Sequence, residues 1–89
     1  NLLLGVTKLT RLTRGGICEK WNSGTSGGPD RIILLPDGKV GFAELKAPGK
    51  KPRTLQAHRH CQLKDLGQLI FVIDDVSQIG GVLDEIQAS

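Results

Sequence analysis

Aromatic side chains are scarce in this chain of 89 residues, which has one Trp, two Phe and no Tyr. That scarcity argues against a single-stranded nucleic-acid binder built on a row of stacking platforms. No apolar run approaches the roughly 20 residues needed to span a bilayer as a helix. The opening Leu2-Leu3-Leu4 is too short for a signal core and lacks a small-residue cleavage pattern after it. It reads as helix, consistent with the trimmed start of a longer one. Cys18 and Cys61 are isolated thiols without a secretory signal, which argues against a disulfide scaffold and for a reducing, intracellular setting.

Charge is also missing from particular places. Asn1 to Arg14 contains no Asp or Glu, and no Lys or Arg follows Lys64. Between Lys46 and Lys64 the chain carries Lys46, Lys50, Lys51, Arg53, Arg59 and Lys64 with no acid among them. A net charge of +3 says little, but a local basic segment can hold a phosphate backbone, with a solvated loop as the bland alternative. A chain of this length fills one hydrophobic core, so residues 1–89 are read as a single domain.

Apolar residues at Leu2, Leu3, Val6, Leu9 and Leu12 approximate helical spacing, and Gly15-Gly16 stops that helix. Ile17 to Asn22 can be a strand, closed by a turn-rich stretch ending at Pro29. Arg31 to Leu35 is an apolar strand, Pro36-Asp37-Gly38-Lys39 a hairpin turn, and Val40 to Lys46 the returning partner. A Pro-, Gly- and Lys-rich loop leads to Thr54, which can cap a helix from Leu55 to Leu66 that Gly67 ends. Leu69 to Ile73 is a further strand. Asp75 with Gln78 resembles a capping box for a last helix, weakened by Gly80-Gly81. The expected fold is α/β, a small mixed β-sheet with flanking helices in the order α-β-β-β-α-β-α.

The hairpin concentrates the chemistry. Side chains alternate faces along a strand, so Val40, Phe42, Glu44 and Lys46 share one face. Glu44 and Lys46 then stand about 7 Å apart at Cα. Thirteen residues separate Asp30 from Glu44, enough for two short strands and a turn, which folds Asp30 back beside Glu44. Two carboxylates and an ammonium suit phosphodiester hydrolysis. Carboxylate oxygens suit Mg²⁺, which takes one or two of them together with water and phosphate oxygens. Lys46 can orient or deprotonate a water and offset negative charge. An arbitrary Glu-x-Lys is more often an exposed surface pair. Here, however, Pro29-Asp30 precedes the hairpin, a basic loop follows it, and Gln56 opens the next helix. Gln56 and Leu63 differ by only about 20° on a helical wheel. Gln56 therefore lies near the core-facing edge, either to hold a phosphate or water or simply to satisfy backbone groups.

Together, Gly28-Pro29-Asp30-Arg31, Gly41-Phe42-Ala43-Glu44-Leu45-Lys46-Ala47-Pro48-Gly49-Lys50-Lys51 and Gln56 resemble the virus-type replication-repair nuclease (VRR-NUC) domain of the PD-(D/E)xK superfamily. The likeness runs from about Gly15 to Ile73. It implies a restriction-endonuclease-like core that uses Mg²⁺ or Mn²⁺ and no organic cofactor. By the resemblance, Asp30, Glu44 and the backbone carbonyl of Leu45 are metal ligands, Lys46 is the catalytic lysine, and Gln56 completes the site. It further implies a homodimeric, phage-type resolvase of four-way (Holliday) DNA junctions in DNA repair, working in the host cytoplasm if phage-borne. The first helix lacks the acidic residue that usually completes the metal site of the family. Either it lies upstream, or the chain does without it.

Lys50, Lys51, Arg53 and Arg59 are the expected DNA contacts, through phosphates. His58, His60 and Cys61 spread around a helix rather than onto one face, so no zinc site is expected. The histidines are read as surface or DNA-facing, the cysteines as small apolar residues, and Trp21 as core. The glycines from Gly24 to Gly28 read as a loop bringing backbone close to substrate. Two alternatives stand beside the nuclease: a catalytically weak DNA-binding module of the same fold, and a non-enzymatic interaction domain.

Overall fold

A computed structural model describes residues 1–89. The elements are α1 (Leu2–Arg14), β1 (Ile17–Lys20), β2 (Arg31–Leu35), β3 (Lys39–Leu45), α2 (Thr54–Asp65), β4 (Ile70–Ile73) and α3 (Ile79–Ala88). The strands form one sheet in the order β1-β2-β3-β4. The first three are antiparallel, pairing Cys18 with Ile33 and Ile33 with Gly41. β4 lies parallel to β3, with Glu44 opposite Val72 and Leu45 opposite Ile73. A parallel neighbour needs a crossover, and α2 supplies it. This is the expected mixed α/β sheet with flanking helices.

The β2–β3 turn forms because Asp37 and Gly38 both take positive φ, 66° and 71°. Asp-Gly tolerates that pair of conformations, which matches the twist of a hairpin. α1 begins where the Asn1 side chain accepts the Leu4 N–H at 2.8 Å. It ends at Gly15, left-handed at φ 67°, as a glycine C-cap requires.

The two faces of the sheet are covered differently. Cys18, Ile33, Leu35, Ala43 and Ile73 join Val6 of α1 and Ile79, Val82, Leu83 and Ile86 of α3 in one buried cluster. Gly41 lets α3 come this close, because a Cβ there would lie 2.4 Å from Ile86 Cδ1. The other face carries Phe42, Glu44 and Ile70 and lies under α2.

Several boundaries differ from the sequence reading. β1 stops at Lys20 rather than Asn22, and α2 starts at Thr54 with Arg53, not Thr54, in the cap position. Asp75 and Gln78 do cap each other, but they enclose a 3-10 turn, Val76–Gln78, ahead of α3. α3 runs unbroken through Gly80-Gly81 because Ile79, Val82, Leu83 and Ile86 bury one of its sides. Tertiary burial there outweighs the glycine propensity penalty.

Candidate active site

The polar face of the sheet gathers the four residues expected to act together. Glu44 and Lys46 lie at the C-terminal end of β3, Asp30 immediately before β2, and Gln56 in the first turn of α2. The antiparallel register returns Asp30 to β3, where its N–H donates to the Ala43 carbonyl at 3.1 Å. Its Oδ1 accepts the Leu45 N–H at 3.2 Å. Asp30 thereby fixes the peptide between Glu44 and Leu45. The family resemblance implies the Leu45 carbonyl as a ligand; the structure adds that the Leu45 N–H anchors Asp30.

Glu44, Lys46 and Gln56 form a closed set. Lys46 Nζ donates to Gln56 Oε1 at 2.7 Å and lies 3.4 Å from Glu44 Oε2. Gln56 Nε2 donates to the same Glu44 Oε2 at 3.1 Å. Gln56 Oε1 also takes the Arg53 N–H at 3.1 Å, which holds the start of α2. The two donors at Oε1 fix the amide's orientation, since a flipped amide would set its NH₂ against an ammonium. Of the two roles left open for Gln56, this geometry contains the second, since Oε1 accepts a backbone N–H. The same amide tethers α2 to the site.

Glu44 is only 5% exposed, and its Oε1 is buried without a partner. Burial pushes its carboxyl above the ordinary value, the nearby Asp30 charge adds to that, and Lys46 and Gln56 pull against both. A buried acceptor without a donor is unfavourable unless something fills it. A divalent cation fits that requirement. Glu44 Oε1 and the carboxylate of Asp30, near enough for its charge to act on Glu44, are hard oxygen donors, and Mg²⁺ typically takes only one or two carboxylates. No cluster of three His, Cys, Asp or Glu side chains occurs anywhere in the chain, in keeping with the acid-free α1.

Lys50, Lys51 and Arg53 occupy the loop between β3 and α2, exposed and without acidic partners. Arg59 stands apart from them. It lies on α2 and lines a cleft with Trp21 and the loop before Asp30.

Two expectations fail. His60 is not a surface residue: it is 5% exposed with Nε2 buried and unpartnered. Burial lowers its pKa, and the charges of Lys64 and Lys46 lower it further. Its position four residues after Gln56 is the available signal, because that spacing places both on one side of a helix. Trp21 is not core. It is 38% exposed and packs edge-on against Phe42, with ring centroids 5.4 Å apart. The cysteines divide, Cys18 buried and Cys61 exposed.

A mixed sheet with Pro-Asp ahead of a hairpin, Glu-Leu-Lys at its end and a crossover helix beyond is the architecture of a PD-(D/E)xK nuclease. No family model matches the sequence. The chain is 47% identical over 68 residues to "Putative nuclease p44" of Acyrthosiphon pisum secondary endosymbiont phage 1, a match covering 73% of each protein. It superposes on a solved "VRR_NUC domain" with a TM-score of 0.83 at 26% identity, covering 93% of this chain and 90% of that one. The chain belongs to the VRR-NUC family and is a nuclease of that type.

Proposed function

We propose that residues 1–89 form one Mg²⁺- or Mn²⁺-dependent endodeoxyribonuclease domain, selective for branched DNA and working as a homodimer on four-way junctions. The observation that carries the metal reading is the buried, unpartnered Oε1 of Glu44 beside Asp30. In this reading Asp30, Glu44 and the Leu45 carbonyl hold the cation. When bound, it supplies charge neutralisation at the scissile phosphate and activation of a water. Lys46 then orients the attacking water and offsets charge on the phosphate oxygens. Gln56 positions the Lys46 ammonium through Oε1 and keeps α2 against Glu44. Lys50, Lys51 and Arg53 grip backbone phosphates beside the centre, so their removal should flatten the salt dependence of binding.

The homodimer reading rests on the symmetry of the reaction, since cutting two strands at equivalent positions calls for two sites related by a two-fold axis. No helix is long and apolar enough to cross a membrane. In this reading the work is done inside the cell, in the host cytoplasm for a phage-borne chain. The absence of a third acid favours a second reading, a module of the same fold that binds DNA and cuts it weakly.

The deciding experiment is cleavage of a labelled four-way junction beside a matched linear duplex in Mg²⁺, Mn²⁺ or EDTA, with Lys46→Ala as control. Metal-dependent cutting of the junction alone, lost in the variant, supports the full reading. Equal cutting of both substrates keeps the nuclease and removes the junction preference. Binding without cutting by the folded chain supports the second reading.

A further inference from the structure

Trp21 and Phe42 are two of only three aromatic residues in the chain, and they meet beside the candidate active site. The Trp21 backbone N–H donates to the Asp30 carbonyl at 2.8 Å, which pairs the residue carrying the indole directly with a proposed metal ligand. Its ring nevertheless stays partly exposed, at the mouth of a cleft of about 90 Å³. The cleft lies between α2 and the Ser23–Pro29 loop, and its walls include Trp21, Ser23, Thr25, Pro29, Arg59 and Leu63.

The walls are fixed in place. Ser23 Oγ accepts the Thr25 N–H and Asn22 Oδ1 accepts the Gly24 N–H, which shapes the loop. Gly27, at φ 86°, lies against α2 so closely that a Cβ there would lie 3.0 Å from Leu55 Cγ. Within this frame, Arg59 Nε is buried with no hydrogen-bond partner. An aromatic ring, the apolar side chains of Pro29 and Leu63, and the cationic side chain of Arg59 form a mixed lining. Phosphate alone would use the cation and leave the ring and the apolar side chains idle. A base uses all three, since it offers a flat π-face and edge acceptors for arginine. The space takes one flat group and is far too small for a base pair.

We propose that this cleft receives a single unpaired base of the DNA strand next to the scissile phosphate, stacked on Trp21 and hydrogen-bonded by Arg59. The proposal rests on the nuclease reading above and adds a source for its substrate choice. One ring makes a pocket for one nucleotide, in keeping with a chain too poor in aromatics for a stacking track. Drawing a base from an intact duplex costs stacking and pairing free energy, and the cost is least where the base is already unpaired. Flaps and single-stranded arms supply such bases outright, and a four-way junction supplies one when a pair at its crossover opens, so the cleft selects branched DNA without reading sequence.

Trp21 is the only tryptophan and there is no tyrosine, so intrinsic fluorescence reports on this cleft alone. The full chain, in EDTA to prevent cutting, is titrated with DNA bearing a short single-stranded arm at a branch. The controls are the same DNA with abasic arm nucleotides, a fully paired duplex and inorganic phosphate. The expected result is saturable quenching by the arm with bases, little by the other three, and at least about tenfold weaker quenching affinity in Arg59→Ala. Equal quenching by the abasic arm or by phosphate alone would overturn the proposal, showing an anion site. Unchanged emission while labelled DNA still binds by anisotropy would overturn it too. The abasic comparison needs no variant, so a misfolded Arg59→Ala leaves the test intact. Quenching as expected, with no cleavage once metal is restored, would remove the enzymatic reading and keep the base pocket.

Discussion

The two faces of the sheet solve opposite problems with the same strands. On one, Ile33, Ala43 and Ile73 are fully buried between α1 and α3, and nothing polar is held except Thr10, whose hydroxyl bonds the Val6 carbonyl. On the other, α2 has scarcely any apolar stripe. It reaches the sheet through Gln56 and His60, with Glu44 beneath it. The first face supplies stability. The second holds a buried carboxylate acceptor and a buried imidazole nitrogen without partners, groups that burial makes unfavourable unless a ligand completes them. Alternation along β3 produces both. Gly41, Ala43 and Leu45 point to the packed side, while Phe42, Glu44 and Lys46 point to the chemical one.

This contrast can be broken most sharply at Glu44. Glu44→Gln should reduce metal-dependent cleavage by on the order of 10³-fold or more while leaving the fold intact. It should also change how stability depends on pH. The Glu44 pKa is raised in the folded state, so its contribution is complete below the ordinary value of 4.5 and is lost as pH rises through the folded value. Urea unfolding without metal should therefore show the wild type losing ground to Glu44→Gln between acid and neutral pH. A parallel pair of pH curves would contradict the assignment.

The packed face should respond the other way. Ile86→Ala empties a fully buried site and should destabilise by about 2–5 kcal/mol, with the cleavage rate of the remaining folded protein unchanged. A lower cleavage rate at unaltered stability would show that the faces are not separable in this way.

His60 gives a smaller effect of opposite pH sign to Glu44. Its folded pKa lies below the ordinary value of 6.5, so its contribution is present above that value and lost as pH falls through the folded one. Stability should decline on acidification below about 6.5 in the wild type and decline less in His60→Leu, as followed by thermal unfolding across pH. The smallest change is at Gly81, where an added Cβ meets open space. Gly81→Ala should raise stability by about 0.5–1 kcal/mol, read as a few degrees in Tm, without affecting cleavage.

What can be read from the sequence follows the same division. The hairpin, its Asp-Gly turn and the approach of Asp30 to Glu44 depend on local rules: alternation, turn chemistry and loop length. They need no knowledge of the rest of the chain. The helical spacing of α1 is legible for a similar reason, because its apolar stripe faces an apolar sheet. His60 and Trp21 escape such rules because polarity usually predicts exposure, and that relation fails where a helix packs over a buried polar cluster. There a histidine is buried and a tryptophan left at a cleft. The tight seat of Ile86 on Gly41 and the passage of α3 through two glycines depend on contacts between residues far apart in sequence, which no local pattern records.

The central claim is that the polar face is built around a divalent cation. Mn²⁺ titration of the folded wild type, Glu44→Gln and Lys46→Ala, followed by water-proton relaxation without DNA, tests it directly. The expected result is saturable binding in the wild type, retained in Lys46→Ala because an ammonium is not a ligand, and lost in Glu44→Gln. Binding of equal strength in Glu44→Gln would contradict the claim, because the cation would then be held somewhere other than the buried acceptor of Glu44.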